Sequence, residues 1–410
     1  MRIVDLFSGA GGLTFGFYYR LENGQFVRTD NEFIFANEYD VHAARAFQAN
    51  YHDVNMINRK IQDLTEDEIT DLIGEEEVDI IIGGPPCQSF STVGRRRFDD
   101  KARLYTEYIR MLRIIQPRMF LFENVKGMLS MREQIPVEDE NGNPVLDENG
   151  KQKTKPGDLI MDIIRDNFAD LGEGLGYHLV GEEVLDAVNY GVPQHRERVF
   201  LVGVRNDIME QVEWHYPEAT HNGNETPYIT IREAISDLPE IAEGGRVETY
   251  NNNPVNPYQT LMRGNNQVLT QHFCGNHNEK MRMVIAAVPQ GEGRHFINSL
   301  VDKGELPETC RLTSGYANTY GRLVEDKPCT TITNNMCTPS ALRCIHYAQN
   351  RELTPREGAR IQSFPDWYAF DGQKGHVTTH IGNAVPPLLA MAMARSIEET
   401  IEQLEDNYNV

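Results

Sequence analysis

The sequence predicts an α/β fold: a mostly parallel sheet with helices on both faces, and a second, smaller domain of irregular structure. Apolar, strand-like stretches that each end in a polar or glycine-rich motif are typical of the carboxyl edge of a parallel sheet. They alternate with helix-like segments up to about residue 206, whereas residues 207–345 are rich in Asn, Gly, Pro and Thr. The 410 residues suffice for one large and one smaller domain.

A glycine turn follows the first strand. Residues 2–7 have the pattern of a short buried strand, and Ser8-Gly9-Ala10-Gly11-Gly12 follows before a helix-like segment. A strand, a glycine turn and a helix N-terminus together form a cradle for a nucleotide-like ligand. Taken alone, such glycines are equally typical of an ordinary turn. Their spacing differs from G-x-G-x-x-G, which disfavours an oxidoreductase that binds a dinucleotide.

An acidic residue ends the second strand. Residues 33–36 are strand-like, and Asn37-Glu38 follows them. A carboxylate at this position can accept hydrogen bonds from ribose hydroxyls.

A cysteine comes directly after the next strand. Cys87 lies in Gly84-Pro85-Pro86-Cys87-Gln88-Ser89-Phe90-Ser91, after the apolar residues 78–82. Glycine allows the backbone to approach a ligand closely, and proline restricts the turn that carries the thiol. This setting favours a nucleophile. A lone cysteine elsewhere more often serves as a small apolar side chain.

A second carboxylate follows one βαβ unit later. The strand-like residues 117–122 are followed by Glu123-Asn124-Val125. Because both motifs follow strands of one parallel sheet, we expect Cys87 and Glu123 at the same rim. A carboxylic acid beside a thiol suits a substrate that gains electron density and a proton together. A solvated surface glutamate is the alternative.

Six motifs in order carry a family resemblance. The chain resembles the DNA (cytosine-5)-methyltransferases of the compact prokaryotic type, as found in restriction-modification systems. The resemblance runs from residue 5 to residue 387 and implies a Rossmann-like, S-adenosylmethionine-dependent methyltransferase domain. The matching blocks are Asp5–Gly12, Gly84–Ser91, Glu123–Val125, Gln194–Arg198, Arg356–Pro365 and Gly382–Pro387.

The resemblance implies a covalent mechanism. The thiolate of Cys87 would add to carbon 6 of cytosine while Glu123 holds or protonates ring nitrogen 3. Carbon 5 would then take the methyl group of S-adenosyl-L-methionine, and loss of its proton would expel the thiolate. Arg198 would contact the cytosine carbonyl oxygen, with Gln194 and Arg196 shaping that strand. Pairing with a phosphate or a carboxylate is the alternative for Arg196.

The resemblance also implies base flipping, because the target carbon is inaccessible inside a stacked duplex. The segment after Cys87 matches the family's catalytic loop, whose arginines could hold phosphates. A basic run is otherwise most often a solvated surface. The expected substrate contacts are Pro85, Ser91, Arg95, Arg96, Arg97 and Gln194.

Cofactor contacts are carried over from the family motifs. Because Asn383 lies late in the chain, the polypeptide must return to its first domain, and the apolar, helix-like residues 388–397 suit this return. The expected contacts with S-adenosyl-L-methionine are Phe7, Gly9, Gly11, Gly12, Glu38, Asp63, Leu104 and Asn383.

The domain prediction follows from these assignments. Residues 1–206 are expected to form the catalytic and cofactor-binding domain, and residues 207–345 the target-recognition domain. Residues 346–410 would return to the catalytic domain. A surface insertion is expected at about 131–157, where Asn-Gly pairs favour tight hairpin turns.

Composition limits the interpretation. The net charge of −22 has the wrong sign for a nucleic-acid binder. Residues 251–350 nevertheless hold nine Lys and Arg against seven Asp and Glu, so the expected DNA-facing part is nearly neutral. We find no signal peptide and no apolar run of membrane-spanning length. Six cysteines do not suggest a disulfide scaffold, and a catalytic thiol needs a reducing compartment, so we expect a cytoplasmic location.

The expected partners are double-stranded DNA with a flipped cytosine and a cognate restriction endonuclease that acts on the same site. We expect a monomer without a membrane partner. We expect no metal, because His272, Cys274 and His277 lack a second ligand pair at zinc spacing.

The motifs leave other interpretations open. A tRNA cytosine-5 methyltransferase would share the chemistry but carry a different run after Cys87 and a shorter recognition region. A catalytically silent DNA-binding module would tolerate loss of Cys87 or Glu123, and both are present. A solitary methylase fits the residues as well as one from a restriction-modification pair.

Overall fold

The computed structural model describes residues 1–85, 104–150, 152–313, 315–317 and 319–408. Five predicted site residues lie outside this part of the chain: Cys87, Ser91, Arg95, Arg96 and Arg97.

Short strands and helices alternate along the first half of the chain. The strands are β1 (Arg2–Leu6), β2 (Tyr19–Glu22), β3 (Gln25–Arg28), β4 (Glu32–Asn37), β5 (Met56–Ile57), β6 (Ile80–Gly83), β7 (Met119–Val125), β8 (Arg132–Pro136), β9 (Thr154–Leu159), β10 (Tyr177–Asp186), β11 (Gln194–His195), β12 (Glu197–Arg205) and β13 (Cys329–Thr330). The α-helices are α1 (Gly12–Tyr18), α2 (Val41–Asn50), α3 (Glu66–Ile73), α4 (Tyr105–Ile115), α5 (Ile160–Ala169), α6 (Ile231–Ile235), α7 (Pro257–Arg263), α8 (Glu279–Ala287), α9 (Arg294–Asp302), α10 (Pro355–Ile361), α11 (Lys374–Asn383) and α12 (Pro387–Tyr408).

A seven-stranded sheet forms the centre, in the order β10-β12-β7-β6-β1-β4-β5. The five strands from β7 to β5 run parallel to their neighbours. Strand β12 runs antiparallel to both β7 and β10. The predicted α/β fold with a mostly parallel sheet is confirmed.

Side chains of the central strands alternate between two apolar cores. In β6, Ile80 and Ile82 belong to one core, and Ile81 belongs to the other. Helices α1 and α12 contribute to the first core, and α3, α4 and α5 contribute to the second. Because side chains alternate across a sheet, a strand that is apolar at every position requires cover on both faces.

Strand β7 is longer than the sequence predicts. Glu123 was expected just beyond the strand, but it lies inside β7, paired with Phe200 of β12. The antiparallel partner extends the hydrogen-bonded ladder to Val125, which pairs with Arg198. Pairing between residues so distant in sequence is invisible to local patterns.

Helix α12 packs against α1 at the start of the chain. A Cβ atom on Gly16 of α1 would lie 2.2 Å from the carbonyl carbon of Ala390, so the two backbones are in close contact. The predicted helical residues 388–397 lie within α12.

Residues 207–345 contain helices α6–α9 and, within the described chain, only the two-residue strand β13. A separate small core brings α8 and α9 together with Cys310, Leu312 and Ile345.

The segment near residues 131–157 forms an antiparallel hairpin of β8 and β9, extended by isolated bridges.

A buried ion-pair cluster joins the region of residues 207–345 to α10. The guanidinium of Arg360 is fully buried and lies 2.8 Å from Asp237 and 2.7 Å from Asp366. Burial opposes the charge of Arg360, but its two carboxylate partners outweigh burial and raise its pKa.

Among the described residues, no helix is both long and apolar enough to cross a membrane.

Candidate active site

A cavity of about 1490 Å³ opens at the carboxyl edge of β1, β4, β6 and β7. Parallel α/β sheets bind their ligands at this edge. Nine of the predicted site residues line this one cavity: Phe7, Gly9, Gly12, Glu38, Pro85, Glu123, Arg196, Arg198 and Asn383.

The glycine turn has an unusual backbone that two tyrosines support from behind. Gly11 has φ +90°, and a Cβ atom there would lie 2.3 Å from the ring of Tyr51. The Tyr51 hydroxyl donates to the Gly11 carbonyl at 2.6 Å, and the Tyr368 hydroxyl donates to the Ala10 carbonyl. Gly9, Ala10 and Gly12 line the cavity, whereas Gly11 packs against the tyrosines on the other side of the turn.

Glu38 joins the end of β4 to the glycine turn. Its carboxylate accepts hydrogen bonds from the backbone of Gly9 at 2.9 Å and of Asp40 at 2.7 Å. Burial raises the pKa of Glu38, although these two hydrogen bonds oppose it. The side chain is thus held in place at the cavity wall, where the sequence predicts a ribose contact.

Two predicted cofactor residues lie elsewhere. Asp63 is exposed at the end of a single 3-10 turn, and Leu104 precedes α4. Within the described part of the chain, neither residue lines the cavity.

Glu123 and Arg198 form an ion pair at the cavity wall. Nε of Arg198 lies 2.9 Å from Oε1 of Glu123, and about nine-tenths of each side chain is buried. Burial raises the pKa of Glu123, while the charges of Arg198 and Arg196 act in the opposite direction. The arrangement can hold a carboxyl group that exchanges a proton with a bound ligand.

Gly84 leaves room for this carboxylate. A Cβ atom on Gly84 would lie 2.6 Å from Oε2 of Glu123. Pro85 follows at the cavity wall, and Cys87 comes two residues later in the sequence.

Arg196 bonds to backbone carbonyls, and it has no carboxylate partner among the described residues. Its guanidinium donates to the carbonyls of Gly382 at 2.8 Å and Ile332 at 3.3 Å, and the side chain is fully buried. Its Nε has no hydrogen-bond partner among the described residues. Burial, and then the charge of Arg198, lower the pKa of Arg196. Arg196 therefore connects the Glu123 wall to two later parts of the chain.

Gln194 is fully buried behind the cavity and does not line it. Its amide donates to Gln362 at 2.6 Å and accepts from the backbone of Ile332 at 2.9 Å. It supports the segment that carries Arg196 and Arg198, and its side chain does not line the cavity among the described residues.

Two cavity residues were missed from the sequence. Tyr39 follows Glu38, lines the cavity and is 65% exposed. Asp5 lies in β1 and is only 1% exposed. A carboxylate within an apolar strand is costly to bury, and that was the available signal.

Part of the cavity lining comes from the later region of the chain. Tyr316 is 57% exposed there, and Thr319 and Leu342 also line the cavity.

The histidine and cysteine run near residue 274 has internal partners. His272 bonds to Thr354 and to the Pro239 carbonyl, and the Cys274 thiol donates to the Ala242 carbonyl. His277 lies 2.6 Å from Glu352. Among the described residues, no group of three or more His, Cys, Asp and Glu side chains is arranged to hold a metal ion.

A family model and similar proteins of known sequence all point to DNA methyltransferases. The family model described as C-5 cytosine-specific DNA methylase matches residues 1–399. The chain is 33% identical over 416 residues to the Type II methyltransferase M.DdeI of Desulfomicrobium norvegicum, covering 98% of this chain and 90% of that protein. It is 31% identical over 401 residues to the Type II methyltransferase M1.HphI of Haemophilus parahaemolyticus, covering 97% and 86%.

Solved structures share the fold. A DNA modification methyltransferase encoded within an E. coli prophage superposes with a TM-score of 0.67 at 23% identity, covering 98% of this chain and 99% of that one. DNMT2 of Spodoptera frugiperda superposes with a TM-score of 0.54 at 16% identity, covering 97% and 99%.

Proposed function

Because the chain belongs to the C-5 cytosine-specific DNA methylase family, we propose that the cavity at the carboxyl edge of its sheet is the site of methyl transfer. The protein is a DNA cytosine-5 methyltransferase. The observation that carries the site assignment is the buried Glu123–Arg198 pair beside Gly84 and Pro85, two residues before Cys87 in the sequence.

Cys87 and Glu123 act together on the cytosine ring. The thiolate of Cys87 forms a bond to carbon 6 as nitrogen 3 takes a proton from Glu123, so negative charge does not accumulate in the ring. Carbon 5 thereby becomes nucleophilic and accepts the methyl group. A base then removes the carbon-5 proton, the sulfur–carbon bond breaks, and the nitrogen-3 proton returns to Glu123.

Burial suits Glu123 to this task. Burial raises the pKa of Glu123 and so favours its acid form relative to that of an exposed glutamate. Arg198 opposes this shift and orients the carboxyl group through its Nε. Nη1 of Arg198 donates to the Glu197 carbonyl at 2.8 Å, and its Nη2 is suited to bond the cytosine carbonyl oxygen. Arg196 holds this wall to residues 332 and 382.

S-adenosyl-L-methionine fits the glycine-turn side of the cavity. The residues that would hold it are Phe7, Gly9, Gly12, Glu38 and Asn383, with Tyr39 offering an aromatic face. Oδ1 of Asp5 is buried and has no hydrogen-bond donor among the described residues, which supports a ligand there. When bound, the cofactor supplies an electrophilic methyl group. Gly11 shapes the turn; contacts from Asp63 and Leu104 remain expectations from the family resemblance.

DNA would enter between the two walls of the cavity. We assign residues 207–345 to target recognition, and residues 1–206 with 346–410 to catalysis. The separate small core of α8 and α9 and the exposed Tyr316 in the cavity lining support this division. Ser91 and the arginines at 95, 96 and 97 would hold the backbone around a flipped cytosine.

The biological role we propose is protection of DNA against a cognate restriction endonuclease. The Type II methyltransferases among its relatives support it. We expect a monomer that works in the cytoplasm, where the Cys87 thiol stays reduced.

The test is bisulfite sequencing of DNA from a methylation-free bacterial host that expresses the protein. We expect 5-methylcytosine in one recurring short motif. Cys87→Ser should abolish it and retain cofactor binding, because a hydroxyl ionises far less than a thiol at neutral pH.

Cys274→Ser is the matched control, because its thiol donates to a backbone carbonyl and a serine hydroxyl can do the same. Methylation by Cys87→Ser at the wild-type rate would refute the covalent mechanism. If the wild-type protein is folded and binds its cofactor but the host DNA carries no 5-methylcytosine, the assignment of the cavity to DNA methylation is refuted.

A further inference from the structure

His380 has a buried ring nitrogen without a hydrogen-bond partner. The residue lies on α11, is 9% exposed and lines the cavity. Its Nε2 lies 3.3 Å from Oδ1 of Asp40, and because a carboxylate oxygen only accepts, Nε2 carries a proton in this contact. Nδ1 is buried and has no hydrogen-bond partner among the described residues. A neutral ring therefore suits this position, since a second proton on Nδ1 would meet no acceptor there.

Asp40 connects His380 to Glu38, the predicted ribose contact. Oδ1 of Asp40 also accepts from the backbone of His42 at 3.0 Å and of Ala43 at 2.8 Å, so it caps the start of α2. The backbone N–H of Asp40 donates to Oε1 of Glu38 at 2.7 Å. His380 thus contacts the residue that holds both the start of α2 and the Glu38 carboxylate.

A second contact between α2 and α11 lies one helical turn away. The ring of His376 stacks on the ring of His42, with 4.0 Å between centroids and 19° between planes. Nδ1 of His42 lies 2.6 Å from Oδ2 of Asp371, and Nη1 of Arg45 lies 4.0 Å from the same oxygen. A Cβ atom on Gly372 would lie 2.8 Å from Nδ1 of His376 and 3.0 Å from Nδ1 of His42, so the glycine leaves room for both rings. Three imidazoles therefore lie where α11 meets α2.

The surroundings of His380 oppose a positive charge on its ring. Burial lowers the pKa of His380 below its ordinary value of 6.5; the charge of Asp40 opposes this shift, and His376 and His42 add to it. The N-terminus of α2 carries a partial positive charge, which also disfavours a cation beside it.

We propose that His380 is a positioning residue for the cofactor site, and that a proton on its Nδ1 releases α11 from α2 and so weakens the binding of S-adenosyl-L-methionine. The neutral ring holds Asp40, and Asp40 holds Glu38 at the cavity wall. A protonated ring must bring Nδ1 to water, which opens the contact between the two helices. This inference rests on the proposed function, since it takes the cavity to be the cofactor site.

The sign of the pH dependence follows from proton linkage. In the closed contact the pKa of His380 is lowered, whereas in the open contact it returns towards 6.5. The closed form therefore binds fewer protons. It is fully favoured above about pH 6.5 and is progressively lost as the pH falls below that value. The cofactor affinity that depends on His380 should decrease with it, by at most about tenfold per pH unit for one proton.

The experiment is calorimetric titration of the full-length protein with S-adenosyl-L-methionine at several pH values between about 5.5 and 8. His380→Gln offers Asp40 an N–H donor but cannot take up a proton. We expect the ratio of the affinity at pH 8 to that at pH 5.5 to be several-fold smaller in this variant than in the wild type. His215→Gln is the matched control, because His215 is exposed and pairs with Glu213 at the surface. Its ratio should equal that of the wild type.

Two further variants should change the response in opposite directions. His376→Gln removes an imidazole that lowers the His380 pKa, so less affinity should be lost in acid. Asp40→Asn keeps an acceptor for the helix cap but removes the charge that raises this pKa, so more affinity should be lost. If His380→Gln fails to fold, these two variants still decide.

Equal affinity ratios in the wild type and His380→Gln overturn the inference and leave the proposed function standing. The same holds if His376→Gln and Asp40→Asn both keep the wild-type ratio. A folded wild-type protein that binds no S-adenosyl-L-methionine at any pH instead overturns the proposed cofactor site itself.

Discussion

The carboxylate of Glu123 occupies the space that a side chain on Gly84 would need. A Cβ atom at position 84 would lie 2.6 Å from Oε2 of Glu123. Gly84 does not have a positive φ, so the requirement for glycine here is one of space. The position directly after β6 is thereby coupled to the acid on β7.

We expect Gly84→Ala to displace Glu123 and slow methyl transfer. The loss should approach the 10²–10⁴-fold effect, roughly, of removing a general acid, while cofactor affinity stays near wild type. Single-turnover transfer of a tritiated methyl group to DNA measures it. The control is Gly375→Ala, since a Cβ atom there meets open space. A wild-type rate for Gly84→Ala would contradict the steric coupling.

Arg198→Met should change the pH profile of the reaction. The arginine charge lowers the pKa of Glu123 against the effect of burial, so its removal should raise that pKa further. If protonated Glu123 is the acid, the alkaline limb of kcat should move to higher pH while the maximal rate falls. An alkaline limb that stays in place would show that Glu123 does not set it.

Arg360→Met should strongly destabilise the protein. It leaves the carboxylates of Asp237 and Asp366 buried without their cation, a change that costs about 3–5 kcal/mol. Urea unfolding measures the loss. Arg395→Met breaks an exposed pair with Glu399 and should cost at most about 0.5 kcal/mol. Equal losses in the two variants would refute the importance of the buried cluster.

Gly16→Ala should loosen the contact of α1 with α12. The new methyl group would overlap the backbone at Ala390, and overpacking of this kind costs about 1–3 kcal/mol. Gly375→Ala, also helical but unobstructed, should cost nothing in the same thermal melt. A stabilising effect of Gly16→Ala would contradict the described packing.

Asp5→Asn should remove a pH dependence of the free protein's stability. Asp5 ionises more readily unfolded than folded, so wild-type stability is lost as pH rises towards about 8. Between pH 6 and pH 8 this amounts to about 2–3 kcal/mol from this group. In urea unfolding without cofactor, the free energy of unfolding of the variant should increase relative to that of the wild type from pH 6 to pH 8. A difference between the two proteins that does not change with pH would place the Asp5 pKa outside this interval.

Local patterns record burial and turns, and they predicted the end of β1 closely but not that of β7, which continues to Val125. Phe7, Glu38 and Glu123 do meet at one cavity, as parallel strand order requires. The contacts of Arg196 could not be predicted, since it bonds carbonyls 136 and 186 residues away. The burial of Gln194, which the family resemblance implies as a substrate contact, could not be predicted for the same reason: its partner Gln362 is distant in sequence. Asp5 was overlooked because it was counted as part of an apolar strand.

The contact of α1 with α12 has a consequence for how the protein is made. A ribosome delivers α1 first and must add the intervening chain before α12 can cover it. At roughly 5–20 residues per second this takes about 20–75 s, during which the face around Gly16 has no cover. Residues 382–385, which line the cavity, arrive equally late. A nascent chain therefore lacks part of the cavity lining until synthesis has passed residue 385.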